Sequence, residues 1–113
     1  FPYTTLFRSL YLRMFVYNVT VNVSDIAHHD WLTWMKQTHV PDVIKTGCFV
    51  DVRMLKLLYV EDEGHTYSIQ YSFLEIVDIE NYQKNFAPKL QAEHKEKFGE
   101  HTTAFRTLLQ VVN

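Results

Sequence analysis

Histidine is the residue type in this sequence best suited to acid–base or metal chemistry, and the chain has six histidines. Their spacing matches no zinc signature, because the sequence contains no HExxH and no other suitably spaced pair. His28 and His29 are adjacent, and adjacent side chains on a helix point about 100° apart. We therefore predict no metal site and no bound cofactor, and interpret most of the histidines as solvated or helix-capping groups.

His39 is the strongest candidate for a catalytic residue. It ends a predicted helix that contains both tryptophans, two residues before Pro41. The C-terminal end of a helix favours a cation, and a histidine there can face a cleft and act as a base. The alternative is a structural role, in which the ring ties the end of the helix to a backbone carbonyl.

Several aromatic residues are predicted to form a pocket beside this histidine. A planar substrate needs apolar walls, and its activation needs a base that removes a proton. The predicted pocket residues are Tyr17, Trp34, Tyr67, Tyr71 and Phe86. Together with His39 they would suit a cofactor-free monooxygenase that acts on a small aromatic substrate. The alternative is that they are ordinary core residues.

Arg106 stands among neutral residues on the last predicted strand, and a guanidinium that becomes buried needs a partner. We expect it to pair with Asp51 or with a carboxylate of a second copy of the chain, and anion binding is the alternative. The predicted dimer interface consists of Asn18, Thr20, Gln70 and Arg106.

The hydrophobic pattern predicts the elements that would position these residues. Strands follow from alternating apolar and polar residues, and helices from apolar residues three and four apart. The predicted strands span residues 15–23, 48–60, 66–73 and 102–112. The predicted helices span residues 25–39, 41–46 and 78–98, the last with a break before Pro88. The order βαββαβ is the ferredoxin-like α+β pattern.

This order predicts a four-stranded antiparallel sheet, in the order four, one, three, two, with both main helices on one face. The apolar faces of the first and third strands should meet the helices. The opposite face then collects polar residues, Asn18 and Gln70 among them. Such a face is either solvated or covered by the same face of a second copy. Its low charge favours the second arrangement, a homodimeric α+β barrel.

Composition excludes several classes of function. A chain of 113 residues fits one domain, and a formal net charge of −2 leaves no basic surplus for nucleic acid. Cys48 is the single cysteine, so no internal disulfide can form. The sequence has no apolar run of about 18 residues and no signal-peptide pattern. We therefore predict a cytoplasmic protein that binds neither nucleic acid nor a membrane.

The first 13 residues differ in pattern from the rest of the chain. Residues 1–13 show no clean strand or helix period, whereas an alternating strand begins directly after Met14. We interpret residues 1–13 as a non-native or disordered arm, and residues 14–113 as the barrel domain. The alternative is a genuine additional strand or arm.

Four segments of the chain together resemble a known family. They are YNVTVNV in the first strand, WLTWMKQTHVPDV in the first helix, TYSIQYSF in the third strand, and YQKNFAPKLQ with KFGEHTTAFRTLLQV at the end. They are similar to an uncharacterised, domain-of-unknown-function family of small bacterial proteins, which itself resembles the dimeric α+β barrel superfamily. The resemblance covers Met14 to Val112 and implies the fold and the dimer. It implies no reaction, because the family has none assigned.

The expected function is accordingly broad. We expect small-ligand binding, or protein interaction through a homodimer. The alternative is the monooxygenase-like enzyme, with a small aromatic ligand.

Overall fold

The structure is a computed structural model that describes residues 13–113. Its strands are β1 (Phe15–Val23), β2 (Asp51–Lys56), β3 (His65–Phe73) and β4 (Thr102–Gln110). Its helices are α1 (Asp25–Trp34), α2 (Val40–Lys45), α3 (Ile76–Asn85) and α4 (Ala87–Phe98), and a π-helical turn at Met35–His39 joins α1 to α2. The predicted N-terminal arm lies outside the described residues, apart from Arg13. None of the helices in the described range is long and apolar enough to cross a membrane.

The strands form one antiparallel sheet in the order β2-β3-β1-β4, which confirms the predicted fold class and topology. β1 lies inside the sheet and pairs along its whole length with both β3 and β4. The register sets Val19 opposite Ile69 on β3 and opposite Arg106 on β4. Residues directly opposite one another share a face of the sheet, so these three side chains point the same way.

The helices cover one face of the sheet, and the core lies between them. Alternation along β1 brings Tyr17, Val21 and Val23 to this face, and each is less than 4% exposed. Ile69 of β3 lies on the same face of the sheet. Trp31 of α1, which has no exposed surface, packs against this face from the helix side. Burying an aromatic or branched side chain of this size contributes about 1.5–3 kcal/mol, so this layer holds the helices to the sheet.

The first helical segment turns every fourth residue toward the core, namely Ala27, Trp31, Met35, His39 and Val43. A spacing of four overshoots one turn of a regular α-helix by about 40° at each step, because the turn contains 3.6 residues. The π-helical turn contains more residues and offsets this drift, so the row stays aimed at the sheet.

Several predicted boundaries differ from those in the structure. Pro41 was expected to end the first helix, but the chain continues without a break to Lys45. Proline has no N–H to donate to the preceding turn. The π-helical turn interrupts the α-helical hydrogen-bond pattern at the place where this donor is missing. The second strand ends at Lys56 instead of reaching residue 60, and Tyr59 beyond it has a φ of 58°. The predicted break before Pro88 is confirmed, since Phe86 separates α3 from α4.

Candidate functional site

A cavity lies between the helices and the helix-facing side of the sheet; we call it the helix–sheet cavity. Its empty volume is about 430 Å³ when the open mouth is included. It is narrow, with room for about two water molecules. The sheet contributes Tyr17, Val19, Val21, Ile69, Tyr71, Ala104 and Arg106, and the helical segments contribute Met35, His39, Tyr82, Gln91 and His94. Apolar walls with a few convergent polar groups are typical of small-molecule sites.

His39 reaches the cavity from the π-helical turn. Its ring centroid lies 5.0 Å from that of Trp34 and 5.8 Å from that of His94. The Nδ1 atom of His39 is buried and has no hydrogen-bond partner among the described residues. Burial, together with the nearby His94, lowers the pKa of His39 to about 4, although Asp42 opposes the change. The imidazole is therefore neutral at pH 7 and holds an unsatisfied polar atom.

His94 is the second histidine of the cavity, although a solvated or helix-capping role was expected for it. The indole Nε1 of Trp31 donates to its Nε2 at 3.0 Å. In the neutral ring the proton then belongs on Nδ1, so His94 offers a donor there. Burial, and then the charge of Arg106, lower the pKa of His94. The sequence signal was its place in the four-residue row of Leu90, His94 and Phe98, whose two outer members are buried.

Three tyrosine hydroxyls complete the polar lining. Burial raises the pKa of Tyr17, Tyr71 and Tyr82, so all three stay protonated at neutral pH and can donate hydrogen bonds. The Arg106 guanidinium and the Gln91 amide approach the Tyr17 hydroxyl and oppose the rise in its pKa. The cavity thus offers several donors and one permanent positive charge.

Arg106 lies on the other face of the sheet from the one predicted. It was expected on the polar face, paired with Asp51 or with a carboxylate of a second copy of the chain. The register places it opposite Val19 on the helix-facing side, among the residues that line the cavity. Asp51 lies on β2, at the other edge of the sheet and opposite Ser72. A pair between Arg106 and Asp51 within one chain is therefore impossible.

The other predicted pocket residues divide into two groups. Tyr17, Tyr71 and His39 line the cavity together. Trp34 does not line it but packs against the His39 ring. Tyr67 packs against Trp31, with ring centroids 5.2 Å apart, and its hydroxyl lies 2.6 Å from Nε2 of His28. Phe86 is half-buried along a separate surface groove beside Leu90.

The opposite face of the sheet, which we call the outer face, carries a hydrogen-bonded polar network. The Asn18 amide donates to Thr20 at 3.0 Å and to Thr107 at 3.2 Å, and it accepts from Ser68. Gln70 accepts from Arg53 at 2.9 Å. Two apolar side chains flank this network on β4, since Phe105 is 60% exposed and Leu109 is 47% exposed. The outer face therefore combines satisfied polar groups with uncovered apolar surface.

No group of three or more histidine, cysteine or acidic side chains in residues 13–113 is arranged to hold a metal ion. The cavity can bind an oxyanion through Arg106 and the neutral donors. It can also accept a proton at a neutral imidazole.

Solved structures share this fold at low sequence identity. A dimeric ferredoxin-like protein from an uncultured marine organism is 13% identical, with a TM-score of 0.67 over 88% of this chain and 96% of that one. SnoaB, a cofactor-independent oxygenase from Streptomyces nogalater, is 12% identical, with a TM-score of 0.65 over 89% and 95%. An ethyl tert-butyl ether d (ethd) family protein from Bacillus halodurans is 8% identical, with a TM-score of 0.63 over 82% and 96%. These similarities establish the fold. No curated protein matches the sequence.

Residues 14–112 match the model of a protein family described as a domain of unknown function (DUF4286). The chain belongs to this family, and the resemblance seen in the sequence is confirmed.

Proposed function

We propose that this member of the DUF4286 family is a homodimeric small-molecule binding protein whose ligand occupies the helix–sheet cavity. One observation carries the proposal: Nδ1 of His39 is buried in a residue that lines the cavity and has no hydrogen-bond partner among residues 13–113. Buried polar side-chain atoms in native proteins are nearly always paired, because an unpaired one costs about 1–3 kcal/mol. A ligand that bonds to this atom would remove that cost.

The rest of the lining supports the same conclusion. Tyr17, Tyr71 and Tyr82 supply flat apolar rings together with hydroxyl donors. Such walls suit a planar ligand, which can stack on the rings while its polar edge meets the hydroxyls. The cavity as it stands has room for about two water molecules, so the binding of a ring requires the lining side chains to shift.

The homodimer is the second part of the proposal, with Asn18, Thr20 and Gln70 in its interface. Satisfied polar groups at the centre and exposed apolar side chains beside them are properties of a surface that can be buried. Phe105 and Leu109 supply that apolar area. The dimeric state of the ferredoxin-like relative from a marine organism is consistent with this arrangement.

The test of ligand binding is a screen of small planar organic molecules, charged and neutral, by NMR of the isotope-labelled protein. Ligands of the cavity should shift the signals of His39, His94 and Tyr17 together. The His39→Phe variant keeps a ring but removes both nitrogens, and it should weaken this binding. His29→Phe, at an exposed position on α1, is the matched control and should not. A screen without hits in the cavity would contradict the proposal.

A second candidate function is a cofactor-independent oxygenase. The observation that favours it is a neutral imidazole, His39, in the same cavity as the guanidinium of Arg106. The imidazole would take the proton of a phenol, and the guanidinium would stabilise the phenolate. The phenolate then reduces dioxygen, so that a phenol with a free para C–H plus O₂ gives a para-quinone plus water. SnoaB, whose fold is similar, is a cofactor-independent oxygenase.

Oxygen consumption in the presence of monohydric and dihydric phenols tests this second function. Consumption that depends on the protein and disappears in His39→Phe, with a quinone as the product, would support the enzyme. Absence of consumption with phenols that bind in the cavity would leave the binding function alone.

A further inference from the structure

Within the part of the chain that the structure describes, the charge of Arg106 has no partner of opposite sign. Among residues 13–113 the ion pairs join Arg13 to Glu75 and His65 to Asp25, and neither includes Arg106. Arg53, by contrast, donates to the Gln70 amide on the outer face. Arg106 is exposed in the single chain, so a ligand can reach its guanidinium from solvent.

The other groups that line the cavity are uncharged at pH 7. Among residues 13–113, those that line the cavity include no aspartate or glutamate. Asp42 acts on His39 through its charge but does not line the cavity. The positive field of Arg106 is felt by both histidines, since it lowers the pKa of His39 and of His94. A lone guanidinium in an acid-free cavity is a site for an anion.

Neutral donors line the same cavity. His94 carries its proton on Nδ1, because Nε2 accepts from Trp31. The Tyr17 hydroxyl lies beside the guanidinium, and the Gln91 amide lies beside this hydroxyl. The two parallel N–H groups of the guanidinium can bind both oxygens of a carboxylate. A phenolate has a single oxygen and makes less use of this paired geometry. Aromatic rings line the remainder of the wall.

We propose that the ligand of the helix–sheet cavity is a small aromatic carboxylate, whose carboxylate binds Arg106 and whose ring enters beside Tyr17 as the lining side chains shift. This inference rests on the proposed binding function and adds to it the chemical class of the ligand. It also assigns Arg106 to ligand recognition, the alternative that the sequence had left open beside an interface ion pair.

The experiment compares benzoate with benzamide, which has the same shape but no charge, by calorimetric or NMR titration at pH 7. In the unaltered protein we expect benzoate to bind about tenfold to a hundredfold more tightly than benzamide. This is the usual contribution of a charge-assisted hydrogen bond to affinity. Arg106→Gln should abolish this preference. Arg106→Lys, which keeps the charge but not the fork, should retain part of it. Arg53→Gln removes a guanidinium from the outer face and is the matched control that should retain all of it.

The outcomes separate this inference from the function on which it rests. Equal binding of benzoate and benzamide, unchanged in Arg106→Gln, would overturn the inference, and a partner carboxylate on Arg106 in the dimer would give this result. Weaker binding of both compounds in His39→Phe would still support the cavity as a ligand site. Failure of both compounds to bind at millimolar concentration would overturn the inference and count against the proposed function. Unfolding curves of the Arg106 variants verify that each is folded.

Discussion

The indole N–H of Trp31 donates a hydrogen bond to Nε2 of His94, 3.0 Å away, across 63 positions of the sequence. Trp31 is completely buried, so the bond ties α1 to α4 inside the protein. It also sets which nitrogen of His94 holds the proton in the neutral ring, and therefore which atom can donate to a ligand.

Replacing Trp31 with phenylalanine removes this donor and part of the buried ring system. We expect a loss of about 1–3 kcal/mol in the free energy of unfolding. The pKa of His94 should rise toward its ordinary value, because a donor to the neutral ring is lost. Urea unfolding and an NMR pH titration measure the two effects. Trp34→Phe is the control, because Trp34 packs near His94 without this bond; an unchanged His94 titration in Trp31→Phe would contradict the interpretation.

Buried His39 makes the stability of the protein depend on pH. Its pKa is lowered from 6.5 to about 4 in the folded state, so between these values the unfolded chain binds more protons than the folded one. Stability is therefore unaffected by this group above about pH 6.5 and falls as the pH decreases toward 4. The full loss is on the order of 3 kcal/mol, since one pKa unit corresponds to about 1.4 kcal/mol.

His39→Phe should flatten this pH dependence. Urea unfolding at pH 7.5 and pH 5 gives the comparison. Some dependence will remain, because the pKa values of His94 and His28 are lowered as well. His29→Phe, at an exposed position, should keep the full slope. If the two variants lose stability equally between the two pH values, His39 is not the group responsible.

A charge on the outer face should prevent the proposed dimer. Thr20 lies on β1 at the centre of this face and accepts from Asn18 at 3.0 Å. Thr20→Glu would bring two like charges together across the interface, so the solution mass should fall to that of one chain in analytical ultracentrifugation. Gln83→Glu adds the same charge at an exposed position on α3 and should leave the mass unchanged. A dimer that survives Thr20→Glu would place its interface elsewhere.

Two glycines with positive φ, Gly47 and Gly64, should differ in how much an added Cβ reduces stability. Gly64 has a φ of 83°, and a Cβ added there would lie 2.5 Å from the backbone oxygen of Val23. Gly47 has a φ of 77°, and an added Cβ would meet nothing within 4 Å. Gly47→Ala should cost about 1 kcal/mol for its left-handed backbone alone, and Gly64→Ala should cost more. Urea unfolding of the two variants measures the difference, and equal losses would argue against the close approach at Gly64.

The sequence alone was sufficient to predict the order of elements, the sheet topology and the faces of β1 and β3. In these strands, apolar Tyr17 and Ile69 alternate with polar Asn18 and Gln70, so a local period of two assigns each side chain to a face. His39 was also singled out from the sequence as a candidate, although the helix end expected there is a π-helical turn in the structure. These features depend on residues close together in the chain.

Only the tertiary structure decided the composition of the cavity. On β4 the two alternating sets both mix polar and apolar residues, with Arg106 beside Leu108 and Thr107 beside Leu109, so the period of two does not say which set faces the helices. The pairing of Arg106 with Val19, 87 positions away, settled it. The meeting of Trp31 with His94 likewise depends on how two distant helices pack, and contacts across such separations are set by the whole core rather than by the local pattern.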